Sequence, residues 1–126
     1  MAVKVVDASA VAAVLFGEPE ADEIAERLHD ARLAAPGLLA FELANVCLVK
    51  MRRHPHERLG LSAAFRLRAR LGVEEVAVDH EQAVELAAAN GLTAYDASYL
   101  WLARELGAEL VTLDRRLAKA ALSDFR

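Results

Sequence analysis

A single cysteine, Cys47, is the whole thiol complement of the 126 residues, so no disulfide can form within the chain. It lies in an apolar helical run, where cysteine packs as a small hydrophobe, and a buried, inert thiol is expected. A cytoplasmic setting fits that cysteine usage. No apolar run approaches the ~18 residues of a membrane span, so no membrane partner is expected. The apolar part of the N-terminal M-A-V-K-V-V-D is too short for a signal peptide. The four histidines, His29, His54, His56 and His80, have no zinc-site spacing to one another or to Cys47. Nucleotide-fold and serine-hydrolase readings lack their motifs, for there is no G-x-G-x-x-G, P-loop or G-x-S-x-G. Repeats, low-complexity stretches and linkers are also missing. Positive charge is in deficit: a net charge of -4 argues against a protein that coats nucleic acid by bulk charge.

What is present describes one globular domain over residues 1–126, with 56% hydrophobic and 27% charged residues, enough for a single core. Val3–Val6 is a short β-branched run that reads as a buried strand. Asp7 or Ser9 can cap the helix that follows to Phe16, and Gly17 ends it. Pro19 suits the first turn of an acidic amphipathic helix reaching about Ala31. Leu33–Ala35 reads as a strand stopped by Pro36, and Leu38 to about Met51 as an apolar helix. After a turn around Pro55, a helix is expected from Glu57 to about Leu71. Val73–Val78 reads as a strand. The helix begun at Asp79 or His80 stops at Asn90-Gly91, and the one capped by Thr93 stops at Gly107. Leu110–Leu113 is a strand, Asp114 caps a last helix, and Leu122–Arg126 is a further short strand. Strands alternating with helices through short connections predict an α/β fold with a central parallel sheet and helices on both faces.

Charge is unevenly spread along the chain. Over residues 17–30, Glu18, Glu20, Asp22, Glu23, Glu26 and Asp30 face Arg27 alone. Over residues 50–70, Lys50, Arg52, Arg53, Arg58, Arg66, Arg68 and Arg70 face Glu57 alone. The basic stretch is either a solvated helical hairpin or a surface for a polyanion.

Four acidic motifs carry the chemistry: V-V-D-A-S (Asp7), F-E-L-A-N (Glu42), T-A-Y-D-A-S (Asp96) and V-T-L-D-R-R (Asp114). Taken singly, Asp7 and Asp114 are good helix caps at strand-to-helix junctions, and Thr93 with Asp96 is spaced like a capping box. Glu42 is different. It sits in a helix that is apolar on nearly all sides, a pattern that is usually buried, with only Asn45 sharing its face. That helix offers no neighbouring cation, so Glu42 must face a cavity, a metal or a distant basic partner. If the four acids share one pocket, each close pair of charges costs up to roughly 4 kcal/mol at an effective dielectric of ~20. Protons or divalent cations must then neutralise them. In parallel α/β sheets ligands bind beyond the carboxyl ends of the strands, where Asp7 and Asp114 emerge. Tyr95, Tyr99 and Trp101, on one helix, read as core and interface residues.

With these motifs in hand the sequence resembles the PIN-domain family, and within it the VapC-type toxin ribonucleases. The matching stretches span the chain: V-V-D-A-S-A with L-F-G-E-P-E-A, A-P-G-L-L-A-F-E-L-A-N-V, L-T-A-Y-D-A-S-Y-L-W-L-A, and L-V-T-L-D-R-R-L. The resemblance implies a three-layer α/β/α fold and a Mg²⁺- or Mn²⁺-dependent endoribonuclease that leaves a 5′-phosphate and a 3′-hydroxyl. It implies a homodimer and a VapB-like antitoxin bound in a toxin–antitoxin hetero-oligomer. Carried over, the catalytic and metal-binding acids are Asp7, Glu42, Asp96 and Asp114, with Ser9, Asn45 and Thr112 as supporting polar groups. Arg52 and Arg53 in the basic stretch, with Arg115 and Arg116 beside Asp114, are the candidates for holding the RNA backbone. Two other readings stay open: a catalytically inactive PIN scaffold that binds RNA or protein, and a metal-dependent phosphatase or receiver-like domain. The lack of an N-terminal D-x-D speaks against the phosphatase.

Overall fold

The computed structural model describes residues 1–123. Strand β1 (Val3–Val6) leads into helix α1 (Ala8–Leu15), followed by α2 (Ala21–Leu28), β2 (Arg32–Ala35), α3 (Leu38–Arg53) and α4 (Arg58–Arg66). Then come β3 (Glu74–Glu75), α5 (His80–Asn90), α6 (Ala94–Leu106), β4 (Glu109–Val111) and α7 (Arg115–Leu122). Among the described residues the strands form one all-parallel sheet in the order β3-β2-β1-β4. Helices α1, α2, α3 and α4 pack as one group, and α5, α6 and α7 as another, with α6 lying on β1 and β4. Right-handed crossovers from β1 to β2 and from β3 to β4 put these groups on opposite faces, giving an α/β/α sandwich.

β1 supplies the centre: Val5 and Val6 point to opposite faces of the sheet, both are fully buried, and they belong to one core with Leu100, Leu102 and Val111. The helix ends follow local chemistry: Gly91 and Gly107 take left-handed conformations (φ 63° and 58°) that a side chain would resist. Cys47 is buried as expected, and His54 and His56 are exposed at a turn. No helix among the described residues is long and apolar enough to cross a membrane.

Several expected bounds change. The third strand shrinks from Val73–Val78 to Glu74–Glu75, because its partner β2 ends at Ala35 and Pro36 has no N–H to continue the ladder. The helix expected from Glu57 to Leu71 runs only to Arg66, and residues Leu67–Leu71 tighten into a 3-10 helix before Gly72. The acidic helix stops at Leu28 rather than near Ala31, with Asp30 left-handed at φ 59°. Leu122 belongs to α7, not to a terminal strand, and the rest of that expected strand lies outside the described residues. Helix α3 is not buried all round: Leu39, Leu43 and Cys47 face inward, whereas Phe41 is 77% and Leu48 41% exposed. One stripe is all that α1, α4 and the sheet can cover.

Candidate active site

The strand order turns between β1 and β4, where the chain leaves β1 toward one face and reaches β4 from the other. At such a switch point the carboxyl ends of adjacent strands open a crevice. Register pairs Val6 with Val111, so Asp7 and Thr112 step out of the sheet side by side.

Asp7 is buried and is also the cap of α1. Its Oδ1 accepts the Ala10 N–H at 3.1 Å and the Ser9 hydroxyl at 2.7 Å, and its Oδ2 accepts the Thr112 hydroxyl at 2.5 Å. Each hydroxyl has one proton, and both are spent on Asp7, so the 3.4 Å approach between Ser9 and Thr112 oxygens adds no bond. The oxygens accept in turn: Ser9 Oγ takes the Leu113 N–H and Thr112 Oγ1 takes the Asp114 N–H. Asp114 caps α7 through the Leu117 N–H at 3.0 Å. The capping roles expected for Asp7 and Asp114 are therefore real.

Asp96 sits in the first turn of α6. Only the Thr93 half of a capping box forms, with the Asp96 N–H donating to Thr93 Oγ1 at 3.1 Å. The Asp96 side chain is thereby left without a capping duty. Glu42, on α3, is half-buried, and its Oε1 accepts the Tyr99 hydroxyl at 2.5 Å. Its partner is thus a neutral phenol on the opposite group of helices, not a distant arginine. Tyr99 was legible only as a core residue. The missed signal is that a buried tyrosine hydroxyl needs a partner, and α6 offers none of its own.

Electrostatics ties these residues together. Burial raises the pKa of Asp7, and the Asp114 charge adds to it against the three hydrogen bonds. Burial raises that of Glu42, helped by the Asp96 and Asp7 charges. Asp96 is raised by burial and by the Asp114 and Asp7 charges, with Arg116 acting the other way. Glu42 and Asp96 each feel two other site acids, and Asp7 feels Asp114. None of them is in an ion pair with Lys, Arg or His among the described residues.

The other expected residues divide between the two ends of their helices. Asn45 is exposed, one turn along α3 from Glu42, and Arg115 and Arg116 are exposed at the start of α7. Arg52 and Arg53 are exposed at the far end of α3, ten residues and about 15 Å of helix beyond Glu42. Nearby Lys50 pairs with Glu18 at 3.0 Å just past the end of α1, so α1 and α3 both run away from the acids.

No three His, Cys, Asp or Glu side chains among the described residues close into a ready-made metal cage. The donor set is nonetheless all oxygen and acidic, and none of the four acids is held in an ion pair among the described residues. That chemistry fits a hard, hydrated divalent ion such as Mg²⁺, which keeps several of its waters, better than an enclosed zinc centre. Two sizeable cavities are present, one of about 230 Å³ beside Gly37 and Glu75 and one of about 860 Å³ beside Ala103 and Ala118 that reaches Thr112; neither is lined by the four acids.

Comparison with known proteins agrees with this geometry. The family described as PIN domain matches residues 4–122. Ribonuclease VapC3 of Pyrobaculum aerophilum is 34% identical over 120 residues, covering 91% of this chain and 92% of its own. The crystal structure of PAE2754 from Pyrobaculum aerophilum superposes with a TM-score of 0.72 at 28% identity, over 95% of this chain and 87% of that one. The chain belongs to the PIN domain family, and within it to the VapC type.

Proposed function

We propose that this chain is an endoribonuclease, the toxin of a type II toxin–antitoxin pair, hydrolysing RNA phosphodiester bonds with Mg²⁺ or Mn²⁺. One observation carries the reading. Carboxylates on four separate elements act on one another electrostatically, none of them is in an ion pair among the described residues, and Arg116 alone offsets the charge on Asp96. Family membership and the likeness to a ribonuclease support the same conclusion.

A divalent ion held by Asp7, Glu42, Asp96 and Asp114 would supply charge neutralisation at the scissile phosphate and acidify an attacking water. The chain's own residues do the rest. Ser9 and Thr112 hold Asp7 rigid from two sides. Tyr99 holds one oxygen of Glu42 and leaves the other without a hydrogen bond to the described residues. Asp96 and Glu42 orient and deprotonate the water. Arg115 and Arg116 receive the phosphate backbone, with Arg52 and Arg53 as more distant contacts on a longer strand. The products are a 5′-phosphate and a 3′-hydroxyl. The proposal includes a second copy of the chain, a VapB-like antitoxin whose peptide lies over the acids, and a cytoplasmic setting.

The test is RNA cleavage with Mn²⁺, Mg²⁺ or EDTA by the wild type, Asp7→Asn and Asp96→Asn. Metal-dependent products from the wild type alone are expected. Equal activity in both variants rejects the site. RNA retention without products in any metal makes the chain a silent scaffold. Co-purification with the product of a neighbouring gene tests the antitoxin.

A further inference from the structure

The cavity of about 230 Å³ between α1, α3 and residues 68–73 has no part in the hydrolysis proposed above. Its walls are aliphatic, with Val11, Leu39 and Leu43 on α1 and α3, and Leu71 and Val73 in the segment after α4. Two charged side chains also line it, Arg68 and Glu75, and they are not paired with each other. Resting on the nuclease reading above, we infer that this cavity takes one base of the RNA and reads it as guanine, with Glu75 and Arg68 as the specificity-determining pair.

Sheet register fixes how far the cavity lies from the acids. Glu75 pairs with Ala35 on β2, and Ala34 pairs with Val5 on β1, so Glu75, Ala35 and Val6 stand in one row. Asp7 follows Val6 directly. Glu75 is therefore two strand spacings, about 10 Å, from the strand end that carries Asp7. The strands are all parallel, so both residues lie at the carboxyl end of the sheet. Val11 brings the cavity nearer still, one turn of α1 beyond Asp7. A phosphate at the acids and a base in the cavity then belong to neighbouring parts of one RNA strand.

The polar groups select the base. The Arg68 guanidinium lies 4.2 Å from the Phe65 ring centroid and donates to the Phe65 carbonyl at 3.5 Å, which leaves its other N–H groups to spare. The Glu75 side chain makes no hydrogen bond or ion pair with the described residues. Its Oε1 occupies the space that a Cβ on residue 37 would take, so glycine at the start of α3 is what admits the carboxylate. A carboxylate accepts from two adjacent N–H donors, and a guanidinium donates to two adjacent acceptors. Guanine is the base that carries both, with N1–H beside N2–H and O6 beside N7. The aliphatic walls cover its faces. The volume is below the roughly 300–1,000 Å³ of sites for larger ligands, so the cavity suits a single base.

The test is fluorescence anisotropy in EDTA with a short labelled uridine strand whose central base is guanine, hypoxanthine or adenine. The proteins are the full chain, Glu75→Gln, Arg68→Met and Gly37→Ala. The wild type should bind the guanine strand about tenfold tighter than the adenine strand, with hypoxanthine, which lacks the N2 amine, in between. Glu75→Gln and Arg68→Met should each cut that preference to about twofold or less. Gly37→Ala, acceptable to a helix start, should do the same by displacing the carboxylate. Equal binding of the three strands by the wild type, beside Mn²⁺-dependent cleavage, overturns the guanine pocket and leaves the nuclease reading intact. A guanine preference that survives all three variants overturns it by placing the reading elsewhere. Variants that bind every strand as the wild type does, yet no longer retain the product of a neighbouring gene, overturn it in favour of a protein side chain. A wild type that neither binds nor cuts RNA removes the nuclease reading and the inference together.

Discussion

The Tyr99 hydroxyl donates to Glu42 Oε1 at 2.5 Å, joining a helix on one face of the sheet to a helix on the other. Burial and the Glu42 charge push the Tyr99 pKa upward, so the phenol keeps its proton and stays a donor at neutral pH. The same bond lowers the Glu42 pKa against the burial that raises it. Tyr99→Phe keeps the ring and removes that support. Glu42 should then ionise only at higher pH, and Mn²⁺ affinity should fall about 10- to 100-fold, as for other partners of metal-binding side chains. Calorimetric titrations across pH check both effects. An unchanged affinity and pH midpoint would reduce Tyr99 to a packing residue.

Asp96→Asn should stabilise the metal-free protein. The folded state raises the Asp96 pKa, so it binds that proton more tightly than the unfolded chain does, and ionisation at neutral pH opposes folding. Removing the charge should raise Tm. It should also abolish the Mn²⁺-induced shift. Scanning fluorimetry with and without Mn²⁺ reads both, and a lower Tm for the variant would contradict the assignment.

Metal and proton should compete. With Asp7, Glu42 and Asp96 all raised, their contribution to stability is largest at acid pH and declines as pH climbs from about 4 through their folded values. Mn²⁺ at tenfold over its Kd should restore about 1.4 kcal/mol at neutral pH and progressively less toward pH 4, where the carboxyls are protonated. Urea midpoints measured at several pH values decide it. A metal effect independent of pH would place the ion elsewhere.

Thr112→Val is nearly isosteric and strips Asp7 of one donor and the Asp114 N–H of its acceptor. Thr112 is buried, so both groups are left wanting. The expected cost is about 1–3 kcal/mol of stability. Thr112→Ser should recover most of it, and denaturant titration distinguishes the two.

Much of this was legible from residue order because it rests on local chemistry. Gly91, Gly107, Pro36 and Thr93 mark element ends through backbone preferences that neighbours cannot override. Asp7 and Asp114 directly follow β-branched runs, so the crevice at the strand ends could be foreseen. What escaped depends on partners distant in sequence. Val76–Val78 look like a strand, yet whether they pair is decided by Pro36. Phe41 and Leu48 look like core, yet their burial depends on how many elements reach α3. Tyr99 looks like filler until Glu42 arrives from across the sheet.

The strand pairing that sets Thr112 against Asp7 joins residues 105 apart. Such a contact is among the last that a chain emerging from the ribosome can make, since synthesis delivers the N-terminal parts first. Asp7 is available early, but Thr112 follows it by 105 residues. A nascent chain therefore lacks the completed site until β4 and the start of α7 have been made. The topology acts as a timer, withholding the full set of acids until the fourth strand has joined the sheet.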